Sequence, residues 1–84
     1  MSVYAKHYHS GERIHAGDII SFTGVRGRIL FVLGVNDPLP EDIRKEEFDW
    51  FNEKYAEGFL IETDLTGRIF ETESNEDLSF ISRA

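Results

Sequence analysis

Five carboxylates recur at helical spacing in the segment EDIRKEEFDWFNEKYAE, residues 41–57. Asp42, Glu46, Asp49, Glu53 and Glu57 are separated by four, three, four and four residues, which places them on one stripe of an α-helix. Like charges at these spacings cost an isolated helix about 0.2–0.5 kcal/mol per pair. A stripe of this kind can bind cations, and above all the basic side chains of another protein.

The same predicted helix carries the single tryptophan of the chain, Trp50, at the border between the carboxylate stripe and an apolar side. Buried tryptophan and arginine side chains dominate the binding energy of protein interfaces, and nearby carboxylates pair well with an incoming arginine or lysine. Two interpretations remain open. The stripe is a solvated surface beside a core tryptophan, or it is a partner-binding surface made of Asp42, Glu46, Asp49, Trp50, Glu53 and Glu57.

Charge along the chain favours a basic partner over nucleic acid or a membrane. Residues 1–36 carry a net charge of +2, residues 37–77 carry −10, and Arg83 brings the total to −7. Such a field repels phosphate backbones and anionic lipid, whereas it attracts basic proteins. The sequence also has no continuous apolar segment of the length that crosses a bilayer, and its start has no apolar core of a secretion signal. We therefore expect a cytoplasmic protein.

Candidate catalytic and metal-binding residues are sparse. His7, His9 and His15 could bind a metal with Glu12 or Asp18, since a His-x-His pair on a strand directs both imidazoles to one side. Nothing else in the sequence sets the geometry of such a site. There is no cysteine, no phosphate-binding glycine loop and no nucleophile with a base beside it. We expect no enzyme, no cofactor and no bound metal.

The elements that position the carboxylate helix are predicted to be strands. Ile19–Thr23 is β-branched and aromatic, and Gly24-Val25-Arg26-Gly27 is predicted to form the tight connection after it. The apolar run 28–35 predicts a strand covered on both faces. Three more strands are predicted at 58–63, 68–73 and 78–82, with a hairpin loop at 64–67.

The helix is predicted to run from about residue 40 to residue 56, with Pro40 in its first turn and Gly58 ending it. Its apolar side, made of Ile43, Phe48, Phe51 and Tyr55, should face the sheet. Together these elements predict one domain over residues 1–84, in which residues 1–10 form a loose arm or a short strand. The predicted fold is mainly β (α+β): a small five-stranded antiparallel barrel with one helix inserted between strands 2 and 3.

Two resemblances bear on function. GDIISFTGVRGRILFV, residues 17–32, resembles the opening of SH3-like barrels of the KOW type. That resemblance implies a module that binds RNA or the ribosomal and transcription machinery. Phe22 and Phe31 are nevertheless expected in the core, and Arg26 and Arg28 are the only cations near the glycine turn.

The second resemblance covers more of the chain. It rests on Ile14, Gly17-Asp18, Gly24, Gly27, Ile29, Phe31-Val32, Trp50, Gly58-Phe59-Leu60-Ile61-Glu62, Gly67, Glu76-Asp77-Leu78 and Ile81-Ser82-Arg83. This pattern resembles small bacterial SH3-like-barrel immunity proteins encoded beside polymorphic toxins of the Rhs or contact-dependent type. The resemblance implies a protein that neutralises a cognate toxin by direct non-covalent binding. It transfers no catalytic residue, and the oligomeric state stays open.

Overall fold

The computed structural model describes residues 7–34, 38–55, 57–72 and 77–83. These residues form β1 (Ile19–Phe22), β2 (Val25–Val32), α1 (Lys45–Lys54), β3 (Phe59–Thr63), β4 (Gly67–Glu71) and β5 (Leu78–Ser82). The strands form one antiparallel sheet in the order β4-β3-β2-β1-β5. The predicted mainly β fold, with five antiparallel strands and a helix between the second and third, is therefore confirmed. In the described part of the chain β4 and β5 are the two edges and do not pair, so the sheet is open there.

The turn between β1 and β2 lies earlier than predicted. Phe22 pairs with Val25, which leaves Thr23 and Gly24 as a two-residue loop, and both have positive φ, +51° and +83°. Positive φ at both central residues is the mark of a type I′ hairpin turn. Gly27, predicted to belong to this turn, instead lies within β2. A Cβ atom there would stand 2.4 Å from the carbonyl oxygen of Glu62, so the close approach of β3 requires glycine.

The apolar run of β2 is covered on both faces, as predicted. Ile29 and Val32 belong to one hydrophobic cluster, whereas Leu30 and Phe31 belong to another. Leu30 and Phe31 share a side because the pairing register with β3 shifts between Ile29 and Phe31. Such an irregularity inserts an extra residue and changes the alternation of side chains.

One cluster is closed by the N-terminal segment. Tyr8 and Ile14 are buried there with Ile20, Ile29, Val32, Phe59, Ile61 and Leu78. Tyr8 donates a hydrogen bond of 2.7 Å to Oδ2 of Asp18, a carboxylate that is only 1 % exposed. Asp18 also accepts from the backbone N–H of His15 at 3.0 Å and from Arg83 at 3.0 Å. Burial, and then this bond to Asp18, raise the pKa of Tyr8 above its ordinary value. The carboxylate thus joins the two ends of the described chain.

The helix covers the face of the sheet formed by β2, β3 and β4. Phe48 and Phe51 pack with Leu39 and Phe70 against the second cluster, Leu30, Phe31, Leu33, Ile43 and Leu60. The apolar side predicted from the sequence is therefore confirmed for Ile43, Phe48 and Phe51.

The helix begins at Lys45, later than residue 40, and ends at Lys54. Arg44 has extended dihedral angles and stands before the first turn. The amide of Ile43 donates to the carbonyl oxygen of Pro40 at 3.1 Å, which closes a separate turn over residues 40–43. Ile43 is buried in that turn, so it packs in the core although it precedes the helix. The prediction that Pro40 lies in the first helical turn is wrong.

Candidate partner-binding surface

The predicted carboxylate stripe spans three different local structures. Glu46, Asp49 and Glu53 lie on α1, whereas Asp42 lies in the turn before it and Glu57 in the bend after it. Asp42 accepts a hydrogen bond of 2.5 Å from Nη2 of Arg28 on β2. This bond holds the pKa of Asp42 below its usual range. Asp42 therefore already has a cationic partner within the chain.

Asp42 is one end of a series of alternating charges, which we name the ion ladder: Asp42, Arg28, Glu62, Arg68 and Glu47. Arg28 donates to Oε1 of Glu62 from Nε at 3.3 Å and from Nη2 at 3.2 Å. Arg68 lies 3.6 Å from Oε2 of Glu62 and donates to both carboxylate oxygens of Glu47. Arg28, Glu62 and Arg68 are direct neighbours across β2, β3 and β4. Asp42 lies in the turn before α1, and Glu47 lies on α1. The ion ladder therefore links the helix and the turn before it to the sheet.

The helix carboxylates outside the ladder differ in their pairing. Asp49 lies 3.1 Å from Nζ of Lys45, four residues earlier, in an exposed pair. Glu46 and Glu53 are exposed and form no ion pair with any other described residue. They lie one turn before and one turn after Trp50, on the same side of the helix. On α1, the carboxylates available to another molecule therefore lie one turn to either side of the tryptophan.

Trp50 is 51 % exposed, so it is not a core residue. Its ring nevertheless packs edge-on against Phe51, with centroids 4.8 Å apart and an interplanar angle of 83°. Phe51 stacks on Phe70 at 4.8 Å, and Phe70 stacks on Tyr55 at 4.5 Å. This series of rings supports the indole, about half of which stays exposed. Rigid aromatic side chains of this kind lose little conformational entropy when a partner covers them.

Two further features of this surface were not predicted from the sequence. Lys54 is exposed, and its Nζ lies over the Trp50 ring, 5.1 Å from the centroid. The spacing of four residues between Trp50 and Lys54 could have indicated this contact. Glu47 and Arg68 pair across 21 residues, which no local pattern indicates.

Two open grooves include Arg28 in their lining. One, of about 350 Å³, is lined by residues of β1 to β4, including Arg26 and Gly27, and by Asp64 of the β3–β4 loop. The other, of about 410 Å³, lies between the turn at Ala16-Gly17 and the segment 38–40. Neither is lined by a residue of α1. Among the residues that the structure describes, no three histidine or acidic side chains form a group suited to a metal ion.

Within the described ranges no helix is long and apolar enough to cross a membrane. Comparison of the chain with known protein families, with curated proteins and with solved structures finds no significant match. The geometry described above is accordingly the basis for the functional inference.

Proposed function

We propose that this chain is a protein-binding module whose contact surface is the outer side of α1, centred on Trp50 and flanked by Glu46 and Glu53. The observation that carries the proposal is a half-exposed tryptophan, held in place by a series of aromatic rings, between two exposed carboxylates. Hot spots of interfaces are enriched in tryptophan, and complementary charge steers association. The partner is a protein with a basic surface.

The resemblance to immunity proteins extends the proposal to a class of partner. In this extension the chain is an antidote that covers a basic crevice of a bacterial toxin and performs no reaction itself. A net charge of −7 would accelerate its association with a basic toxin by about 10–10³-fold. The described strands form an open sheet in the order β4-β3-β2-β1-β5, so the closed barrel of that resemblance stays a prediction. Asp42 and Asp49 would then act mainly through the charge field, because both already have partners.

The alternative role, an RNA-binding module, has less support. Arg28 and Arg68 contact carboxylates, so they are not available to phosphates as isolated cations. Phe31 is buried, and Phe22 packs against the core. Exposed stacking rings and a basic groove are what single-stranded RNA requires.

A site-specific photocrosslink tests the proposed surface. Glu46→p-benzoylphenylalanine places the crosslinker on α1 one turn before Trp50 and leaves both Trp50 and Glu53 in place. Leu65→p-benzoylphenylalanine, at a side chain that is 79 % exposed in the β3–β4 loop, is the matched control. In extracts of the source cells, we expect one basic protein to be captured from position 46 and displaced by excess unlabelled chain. Equal capture from both positions, or no capture from position 46, would contradict the surface.

The antidote role has its own test. The captured protein should arrest growth when it is expressed alone, and co-expression of this chain should restore growth. Glu53→Lys should weaken the rescue, whereas Asp64→Lys, which makes the same charge change in the β3–β4 loop, should not. If the captured partner is not toxic, the chain is still a protein-binding module, but the antidote role is wrong.

A further inference from the structure

The half-exposed Trp50 ring already holds a cation from the chain itself. Nζ of Lys54 lies 5.1 Å from the ring centroid, within the distance of about 6 Å at which ring and cation attract each other. The ammonium forms no ion pair with a described carboxylate, although four acidic residues lie on the same helix. The indole ring is therefore the contact that the structure provides for this charge.

We infer that Lys54 occupies the position that an arginine of the partner takes when the complex forms. This inference rests on the proposed function, and it adds the chemistry of recognition: one guanidinium stacked on Trp50, with a flanking glutamate as its acceptor. Glu46 and Glu53 are seven residues apart, which is about 10 Å along the helix axis, with Trp50 between them. Either carboxylate is placed to accept hydrogen bonds from a cation above the ring.

Arginine fits this position better than lysine does. A guanidinium is planar, stacks on aromatic faces and is less strongly hydrated than an ammonium, and its donors match a carboxylate in pairs. Lys54 has one compact charged group, which can lie over the ring but cannot stack on it in this way. When an arginine of the partner displaces the Lys54 ammonium from the Trp50 ring, a stronger contact therefore replaces a weaker one, and the lysine side chain moves into solvent.

Lys54 is then a competitor of the partner, and its removal should tighten binding. If the Lys54–Trp50 contact has the strength usual for an exposed cation–π pair, removal of the Lys54 ammonium should raise the apparent affinity for an arginine ligand about three- to six-fold. Removal of any positive charge from this acidic protein also favours a cationic ligand. A control with the same charge change is therefore needed, and Lys45 provides it. Lys45 is exposed on the same helix and pairs with Asp49 rather than with the ring.

The test uses the fluorescence of Trp50, the only tryptophan in the chain. The wild-type protein, Lys54→Met and Lys45→Met are titrated at low salt with the amide of acetyl-Gly-Arg-Gly. The neutral citrulline analogue of this peptide is the ligand control. We expect the arginine peptide alone to change the emission, and Lys54→Met to bind it about three- to six-fold more tightly than Lys45→Met does.

Equal tightening in the two variants would overturn the inference, because charge alone would then explain the effect. An equal response to citrulline, or no response to arginine in all three proteins, would also overturn it. Failure of the proposed function can be distinguished from failure of this inference. If position 46 captures a partner while Lys54→Met behaves like Lys45→Met, only the cation position is wrong. If the peptides behave as expected while position 46 captures nothing, only the proposed partner surface is wrong.

Discussion

Removal of the charge at the centre of the ion ladder should loosen α1 from the sheet. Glu62→Gln keeps the shape of the side chain but ends its ion pairs with Arg28 at 3.2 Å and with Arg68 at 3.6 Å. All three side chains are only about a third exposed, at 34 %, 35 % and 42 %. Partly exposed pairs contribute about 0.2–1 kcal/mol each, and the two arginines would then face each other across a neutral residue. We expect the free energy of unfolding to fall by about 0.4–2 kcal/mol.

The assay is urea denaturation followed by Trp50 fluorescence, with thermal unfolding as a second measurement. For a domain of this size, the expected loss lowers Tm by about 2–16 °C. Asp64→Asn is the matched control, because it removes one negative charge from an exposed loop residue that makes no ion pair among the described residues. The difference between the two variants should shrink at 1 M salt, where the screening length is about 3 Å. Equal stabilities of Glu62→Gln and Asp64→Asn at low salt would refute the stabilising role of the ladder.

Two further predictions concern the core. Because the pKa of Tyr8 is raised in the folded chain, the unfolded chain loses this proton first, above about pH 10, and stability should fall there by up to about 1.4 kcal/mol per pH unit. Denaturant unfolding from pH 9 to pH 11 should show a shallower decline for Tyr8→Phe, and parallel profiles would contradict the prediction. Gly27→Ala should lower the free energy of unfolding by about 1–3 kcal/mol, because its Cβ would meet the carbonyl oxygen of Glu62 at 2.4 Å. Gly24→Asn should cost much less, since asparagine suits a type I′ turn, and equal losses in calorimetric Tm would count against this account.

Local patterns predict the elements of this fold well. β-branched and aromatic runs indicate all five strands. Gly67, which the sequence places in the hairpin loop at 64–67, has a positive φ of +75° and begins β4. Helical periodicity predicts the inward side of Phe48 and Phe51, and it also predicts the burial of Ile43, although Ile43 lies in the turn before the helix. These features depend on residues a few positions apart, which is why the sequence contains the information.

Apart from the helix start, which a local turn over residues 40–43 delays, the errors arise where residues far apart in sequence meet. Gly27 resembles a turn residue, but its constraint comes from the backbone of Glu62, 35 positions later. Asp42 resembles a residue of the first helical turn, but it binds Arg28 outside the helix. The predicted stripe therefore contains fewer unpaired carboxylates than its spacing suggests. The exposure of Trp50 depends on Phe51 and Phe70, whose stacking requires the register of β3 and β4.

Hydrogen–deuterium exchange of the chain with and without its captured partner tests the central claim most directly. If the outer side of α1 is the contact surface, amides of residues 45–54 should exchange more slowly in the complex, while those of the loop at 64–66 should be unchanged. Protection confined to the loop or to β5, with α1 exchanging as in the free protein, would contradict the account.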